Sequence, residues 1–78
     1  MYYTYILRSE EDDSYYIGFT NKLQKRIRQH NSGKSKYTSK HRPYKLIYYE
    51  PFETKTEAIQ REQYFKTKEG RDFFLRKI

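Results

Sequence analysis

An arginine, a histidine and a tyrosine stand close together in the first half of the sequence, and their types and spacing suit phosphate chemistry. Arg26 and His30 are four residues apart on a predicted helix, so they lie on the same side of it. Leu23 and Ile27 have the same spacing and predict the apolar face of that helix, which Arg26 and His30 flank. A β-prone stretch that contains Tyr16 precedes the helix. The pattern predicts a cation and an imidazole at the edge of the core, beside a strand tyrosine.

A carboxylate in an apolar stripe is the second feature that could do chemistry. Helical spacing places Glu62 on one face with apolar residues, namely Ala58, Ile59 and Phe65. A carboxylate is rarely buried unless it is paired or bound to a metal. Its position favours a structural interpretation, either a salt bridge to an arginine such as Arg26 or a stripe edge that reaches water. The functional interpretation is a ligand for a divalent metal ion.

The elements that must position these residues begin with a hairpin. Residues 2–8 and 15–20 are β-prone, and the acidic, polar segment between them predicts a turn joining an antiparallel pair. In the second strand, Tyr16 and Gly18 point to the same face because side chains alternate. A glycine within a strand either makes room, here beside the Tyr16 ring, or marks a bulge or tight packing under a helix. The residue alone does not decide between these interpretations.

The first helix is predicted to run from about residue 22 to 31, with Asn21 as its N-cap and Ser32 and Gly33 as its end. Residues 34–43 then form a polar, basic loop, which is either a phosphate-binding segment or a solvated surface loop. The net positive charge favours the first alternative. The predicted nucleic-acid contacts are five basic side chains: Lys22, Lys34, Lys36, Lys40 and Arg42.

The second half predicts one more strand and two helices. Residues 44–50 read as a third strand that Pro51 ends, and residues 54–57 form a capping box that opens the second helix. Gly70 is predicted to break that helix. A short basic helix follows over residues 71–78, packed back through Phe73, Phe74 and, as a further candidate, Ile78. The expected fold is α+β, a three-stranded antiparallel sheet flanked by helices in the order β-β-α-β-α-α, within one domain spanning residues 1–78.

The composition of the chain indicates what kind of partner it has and which kinds of site it lacks. The formal net charge of +7 and the isoelectric point near 9.6 indicate a polyanionic partner. The absence of cysteine excludes disulfides and thiolate metal sites and fits a reducing cytoplasm. No stretch resembles a signal peptide or a membrane span, so we expect a cytoplasmic protein that does not bind membranes. Ten tyrosines and five phenylalanines predict a small core of amphipathic rings, with a few tyrosines available to stack on nucleic acid.

Together these residues resemble the GIY-YIG nuclease family over nearly the whole chain. The resemblance rests on a small set of motifs: Tyr3-Thr4-Tyr5 at the GIY position, Tyr16-Ile17-Gly18 at YIG, Arg26, His30 with Asn31-Ser32-Gly33, and the helix Arg61-Glu62-Gln63-Tyr64-Phe65-Lys66. The chain is most similar to small stand-alone bacterial members and to the nuclease domain of the excision-repair C subunit. The chain departs from the family pattern in two places. The first motif lacks its glycine and isoleucine. Several members carry an asparagine after the metal-binding glutamate, whereas this chain has no asparagine after Asn31.

The resemblance implies a role for each of five candidate residues. Tyr5 and Tyr16 would face the water and the scissile phosphate across the hairpin, with Tyr5 favoured as general base, provided that a nearby cation favours its phenolate. Arg26 would neutralise charge on the phosphate in the transition state. His30 would hydrogen-bond the phosphate or assist a proton transfer. Glu62 would hold one Mg²⁺ or Mn²⁺ ion.

The implied function is a metal-dependent endonuclease that hydrolyses DNA phosphodiester bonds, directed by DNA structure more than by sequence, in repair or recombination. The products by analogy are a 5′-phosphate and a 3′-hydroxyl, and RNA stays open as a substrate. The alternative is a nucleic-acid-binding module of the same fold with weak or absent cleavage. The retained residues favour the enzyme, because a carboxylate beside a phosphate repels the substrate unless a cation is present.

Overall fold

The computed structural model describes residues 1–33 and 41–78. Within these residues the chain forms three strands and three helices in the predicted order β-β-α-β-α-α. Their bounds are β1 (Tyr2–Ser9), β2 (Tyr15–Thr20), α1 (Leu23–Asn31), β3 (Tyr44–Phe52), α2 (Lys55–Phe65) and α3 (Lys68–Lys77). The three strands make one antiparallel sheet with β1 at its centre, in the order β2-β1-β3. The predicted α+β architecture is therefore confirmed.

The two faces of the sheet carry different clusters because alternate residues of the central strand point to opposite sides. On one face Tyr5 and Leu7 pack with Tyr44, and Leu23 and Ile27 of α1 cover them, as the helical spacing predicts. On the other face Ile6 packs with aromatic rings of α2 and α3, namely Phe65 and Phe74. We call these the α1 face and the α2/α3 face. None of the helices in residues 1–33 and 41–78 combines the length and the hydropathy that crossing a bilayer requires.

The prediction that Pro51 ends the third strand is wrong. Strand β3 continues through Pro51 to Phe52, and Pro51 lies opposite Tyr3 of β1. Since β3 is an edge strand, the donor that proline lacks costs the sheet little there. The extra residues lengthen the β1–β3 ladder at the end of the sheet that carries Tyr3 and Tyr49.

Two predictions of helix boundaries are also wrong. Asn21 does not cap α1, because the helix begins at Leu23 and the Lys22 N–H is bound instead by the hydroxyl of Thr20, 3.0 Å away. Gly70 does not break a helix. It lies in the first turn of α3, where Thr67 is the N-cap and accepts a hydrogen bond from the Gly70 N–H.

Gly70 is required instead by a close approach between two helices. A Cβ atom at this position would lie 1.8 Å from the carbonyl oxygen of Tyr64, so no side chain fits. Helix α2 ends at Phe65, and the turn to α3 brings Phe74 into the core while Ile78 stays half exposed. The predicted packing therefore holds for Phe74 but not for Ile78. The capping box is confirmed in one half: the Thr54 hydroxyl accepts from the Glu57 N–H.

Candidate active site

Tyr5 and His30 form the buried centre of the candidate site on the α1 face. Strand β1 carries Tyr5, whose hydroxyl oxygen lies 2.9 Å from His30 Nε2 in a hydrogen bond between β1 and α1. Both residues are buried, Tyr5 with 1% and His30 with 0% of its surface exposed. The Tyr16 ring of β2 packs against the imidazole, with 4.6 Å between ring centroids. Three of the five predicted residues therefore meet in one cluster.

Gly18 makes this cluster possible. It lies directly across the ladder from Tyr5. A Cβ atom on Gly18 would stand 2.7 Å from the Tyr5 hydroxyl oxygen and 3.0 Å from Cε1 of Tyr16. The prediction that Gly18 leaves room beside the Tyr16 ring is confirmed, and the same space also accommodates the Tyr5 hydroxyl. The glycine is thus required by two functional candidates rather than by a bulge.

Arg26 completes the cluster from α1. Its guanidinium interacts with the hydroxyls of Tyr5 and Tyr16, and Nη1 donates to Oε1 of Gln29 at 3.1 Å. Partial burial lowers the pKa of Arg26, but its contacts with Tyr5 and Tyr16 outweigh burial, and the pKa is raised overall. No carboxylate in residues 1–33 and 41–78 forms an ion pair with Arg26, and residues 34–40 contain no acidic side chain. The positive charge of Arg26 is therefore not neutralised by the protein.

The ionisation of Tyr5 differs from what a general base at this position needs. Burial, followed by the neighbouring Tyr16, raises the pKa of Tyr5 well above its usual range. Arg26 lowers the pKa, as the expected role requires, but the effect of burial is larger. Tyr5 is therefore a neutral phenol near pH 7, held by His30. Tyr16 is only partly buried, so the more accessible of the two hydroxyl groups belongs to Tyr16.

His30 lies deeper than the helical pattern predicts. We expected it at the core edge, whereas it is completely buried. An imidazole tolerates this position because the Tyr5 hydroxyl satisfies one ring nitrogen. Burial, together with the charge of Arg26, lowers the pKa of His30 to about 4, so the ring is neutral near pH 7. The buried ring is held in the cluster by its contact with the Tyr5 hydroxyl.

Glu62 approaches the cluster from α2. Its side chain is 17% exposed, and its negative charge is close enough to raise the pKa of Tyr5. The salt bridge to Arg26 that the sequence left open is not formed. Lys66 is the ion-pair partner instead, one helical turn along, at 3.6 Å. A groove of about 470 Å³ lies beside this ion pair and is lined by Tyr15, Tyr16, Ile17 and Lys66.

The donor set at Glu62 fits a hard, well-hydrated cation. Across the parts of the chain that the structure describes, no group of three or more His, Asp or Glu side chains is arranged to hold a metal ion. Glu62 would therefore hold the ion without a larger cluster of protein ligands among the described residues. Mg²⁺ is commonly bound by one or two carboxylates and retains several waters, so one partly exposed carboxylate suits it. Phe73 and Phe74, in the region where the resemblance implies an asparagine, belong to the apolar cluster of the α2/α3 face.

The predicted phosphate-binding side chains are only partly covered by the structure. Lys34, Lys36 and Lys40 lie outside the described residues. Lys22 and Arg42 are exposed. The Arg42 guanidinium packs over Gly33, where a Cβ atom would lie 2.2 Å from Nη1, and Gly33 has a positive φ of 83°. Arg42 therefore lies beside the end of α1, the helix that carries Arg26 and His30.

Sequence reasoning missed the role of Asn31. Its side-chain Oδ1 accepts from the Tyr44 N–H at 2.6 Å, and its Nδ2 donates to the Tyr44 carbonyl at 3.1 Å. This two-bond contact fixes the end of α1, next to His30, to the start of β3. The sequence does show an amide side chain at the predicted end of the helix. Such a side chain is able to bond both the backbone N–H and the backbone C=O of one strand residue.

Comparisons with known proteins show which family the chain is similar to. The GIY-YIG family, described as the GIY-YIG catalytic domain, matches residues 1–76. The chain is similar to a UPF0213 protein of Bacillus pumilus, with 46% identity over 99% of this chain and 81% of the relative. It is also similar to a UPF0213 protein of Clostridium perfringens, with 52% identity over 85% of this chain and 71% of the relative.

A solved structure gives the same result for the fold. The solution NMR structure of a UPF0213 protein from Bacillus halodurans superposes with a TM-score of 0.57 at 34% identity, and the alignment covers 96% of this chain and 83% of that one. Tyr5, Tyr16, Arg26 and His30 meet on a fold that the resemblance led us to expect. The chain belongs to the GIY-YIG family, whose catalytic domain is in general a nuclease domain.

Proposed function

We propose that the protein is a divalent-metal-dependent endonuclease that hydrolyses phosphodiester bonds of structured DNA, in repair or recombination. The observation that carries the proposal is the state of Arg26. A partly buried guanidinium beside two tyrosine hydroxyls, with no carboxylate partner in the described residues, is a site for an anion. The net charge of +7 favours a polyanion as its source.

Arg26 and Tyr16 are assigned the contacts with the reacting phosphate. Fixed donors aimed at charge that develops in the transition state need no reorganisation during the reaction, which makes Arg26 the main stabilising group. The Tyr16 hydroxyl is the accessible one, so it orients the phosphate or the attacking water. Tyr5 and His30 are positioning residues: their buried hydrogen bond fixes the Tyr5 hydroxyl under Arg26 and Tyr16.

Glu62 is assigned to the metal ion. With Mg²⁺ or Mn²⁺ held by Glu62, Lewis-acid stabilisation of the leaving oxygen would be available at the site. The chain's own contribution is a single carboxylate oxygen donor close to the cluster, with Lys66 at 3.6 Å as its partner when no metal is bound. The long, partly exposed ion pair is weak, so it costs little to replace.

The test is cleavage of a panel of labelled flaps, forks, junctions, duplexes and single strands with Mg²⁺ or Mn²⁺. We expect the parent to cut at least one branched substrate, leaving a 5′-phosphate, and Glu62→Gln to lose cleavage at saturating DNA. Glu69→Gln is the matched control, because Glu69 is an exposed carboxylate in α3. A parent that binds the panel but cuts none of it with either metal would identify the non-cleaving binding module. A Glu62→Gln variant as active as Glu69→Gln would remove Glu62 from the site.

A further inference from the structure

A groove between α1 and strand β3 lies outside the candidate active site. It encloses about 550 Å³, within the range of volumes that bind small ligands. Its floor includes Leu46, its walls include Tyr3 and Tyr49, and Lys22 and Lys25 stand at the α1 side. The cluster of Tyr5, Tyr16, Arg26 and His30 contributes no residue to its lining.

The groove has the charge of a site for nucleic acid. Its lining contains two lysines and no aspartate or glutamate, although the chain carries ten acidic residues. Both lysines are exposed and therefore free to contact phosphates. A groove that binds an apolar protein segment does not require lysines without acidic residues. A groove that follows a phosphate backbone does require this excess of positive charge.

The groove also presents an aromatic ring to solvent. Tyr49 is 49% exposed, although it lies in a strand beside the packed Tyr5. Tyr3 supports it from the neighbouring strand, with ring centroids 6.0 Å apart and an interplanar angle of 64°. An edge-to-face partner fixes the orientation of the Tyr49 ring without occupying both of its faces. An exposed, oriented ring in the same groove as two lysines is an arrangement on which unpaired bases stack.

We propose that this groove binds an unpaired strand of nucleic acid, with a base stacked on Tyr49 and phosphates held by Lys22 and Lys25. The proposal rests on the proposed function only for the class of substrate. Tyr49 is paired with Tyr5 across β1 and β3, so the groove and the candidate active site share one face of the sheet. A strand held in the groove is thereby brought alongside the cluster. The groove would select DNA structures that contain a single-stranded segment.

The test is binding to a fluorescein-labelled twelve-nucleotide oligothymidine and to a blunt hairpin duplex, measured by anisotropy in EDTA with the full chain. Base–aromatic stacking predicts that Tyr49→Ala weakens binding of the single strand about tenfold. Duplex binding should change less than about twofold, because paired bases do not stack on the ring. Tyr49→Phe keeps the ring and should bind the oligothymidine like the parent.

A second pair of variants tests the lysines independently of the β3 substitution. Lys25→Ala should lower the slope of log affinity against log salt by about 0.7 for the single strand. Lys68→Ala is the matched control, an exposed lysine in α3 that does not line the groove. Thermal melting shows whether each variant keeps the parent fold.

Equal binding of oligothymidine by Tyr49→Ala and the parent would overturn the proposal, as would an equal loss for single strand and duplex. A dimer that Tyr49→Ala dissociates, with DNA binding unchanged, would assign the groove to a second copy of the chain instead. Binding in EDTA does not depend on cleavage. A parent that binds through Tyr49 but cuts nothing therefore contradicts only the proposed function, and a nuclease indifferent to Tyr49 contradicts only the groove.

Discussion

Two arginines, one on each face of the sheet, have opposite surroundings. Arg61 of α2 is held by Glu50, with 2.7 Å from Nε to Oε1 and 3.3 Å from Nη2 to Oε2. Three aromatic rings surround its guanidinium, each with its centroid 4.8 Å away, namely Tyr64, Phe65 and Phe73. Arg26 of α1 has two phenol hydroxyls and an amide as neighbours instead.

The surroundings of the two arginines indicate different uses of their charge. The charge of Arg61 is paired within the protein, whereas that of Arg26 is available to a ligand. Glu50 accounts for the charge of Arg61, and the Tyr48 hydroxyl donates a further hydrogen bond to the same carboxylate. The Arg61 site therefore needs nothing from outside the protein. The Arg26 site carries a net positive charge that a bound phosphate would balance. A partly buried arginine marks a functional site when the protein leaves its charge unpaired, and a structural one when it does not.

The sharpest way to break this comparison is Arg26→Ala. Removing an arginine that stabilises phosphoryl transfer costs about 10³-fold or more, so cleavage of a branched DNA should fall at least that far. The melting temperature should fall less than in Arg61→Ala, because contacts with Tyr5, Tyr16 and Gln29 are lost but no ion pair is. Single-turnover cleavage is the measurement, and Arg28→Ala, an exposed arginine on the same helix, is the control. Equal loss in both variants would mean that α1 contributes only general positive charge.

The two faces should also lose stability in different pH windows. His30 has its pKa lowered from 6.5 to about 4, so the unfolded chain binds more protons between these values. The free energy of unfolding should then fall as pH drops from 6.5 to 4, by up to about 3 kcal/mol. In His30→Gln this slope should flatten, as measured by denaturant titration at each pH. The chain's other histidine is retained, so it cancels in the comparison.

Glu50 provides the contrasting window. Burial raises the pKa of Glu50, but Arg61 and Tyr48 outweigh it and hold the pKa below its usual 4.5. Its contribution is therefore fully present above pH 4.5 and is lost only as pH falls further, through the lowered pKa. A His30→Gln protein that keeps the parent slope between pH 6.5 and 4 would show that the buried imidazole is not its source.

For Arg61→Ala we expect the reverse of the Arg26 result. Loss of the Glu50 ion pair and of the ring contacts should cost about 2 kcal/mol, because both partners are partly exposed. A domain of this size should then melt about 10 °C lower. Cleavage per folded molecule should match the parent when assayed well below the melting temperature. A stable but inactive Arg61→Ala protein would place Arg61 in the active site.

The smallest effect is expected for Gly18→Ala. The added methyl group would lie 2.7 Å from the Tyr5 hydroxyl oxygen and 2.9 Å from Cζ, so the buried Tyr5 ring would have to shift. We expect about a tenfold loss of cleavage, since small displacements of positioning groups cost one to two orders of magnitude. Gly70→Ala is the contrast, because its methyl group would meet the backbone of α2 and should lower stability instead. Unchanged cleavage in Gly18→Ala would show that the Tyr5 position is not critical.

Local patterns predicted the elements well where one physical cause dominated. The i, i+4 pair of Leu23 and Ile27 correctly placed α1 on the sheet. For Gly18 the sequence left two interpretations open, and the structure supports the one in which the glycine makes room beside the Tyr16 ring. Gly70 was misread because a glycine that ends a helix and one that admits a neighbouring backbone look the same in sequence. Only the distance to Tyr64 distinguishes them.

The ionisation states of Tyr5 and His30 could not be predicted from the sequence, because they also depend on distances in the folded chain. Helical spacing placed His30 beside the apolar stripe but did not give its depth, which depends on the Tyr5 partner across the sheet. The raised pKa of Tyr5 likewise follows from burial by residues far apart in the chain. Glu62 has a sequence-local partner, Lys66, at i+4, yet its proximity to Tyr5 is a property of the fold.

Two hydrogen bonds between the Asn31 side chain and the Tyr44 backbone join the two ends of the segment that connects α1 to β3. They fix the end of α1, next to His30, to the start of β3. If the basic segment between them binds DNA as proposed, substitutions there should change the affinity for DNA and leave the positions of His30 and Arg26 unchanged. Asn31→Ala would remove this tie, so it should change affinity and cleavage together.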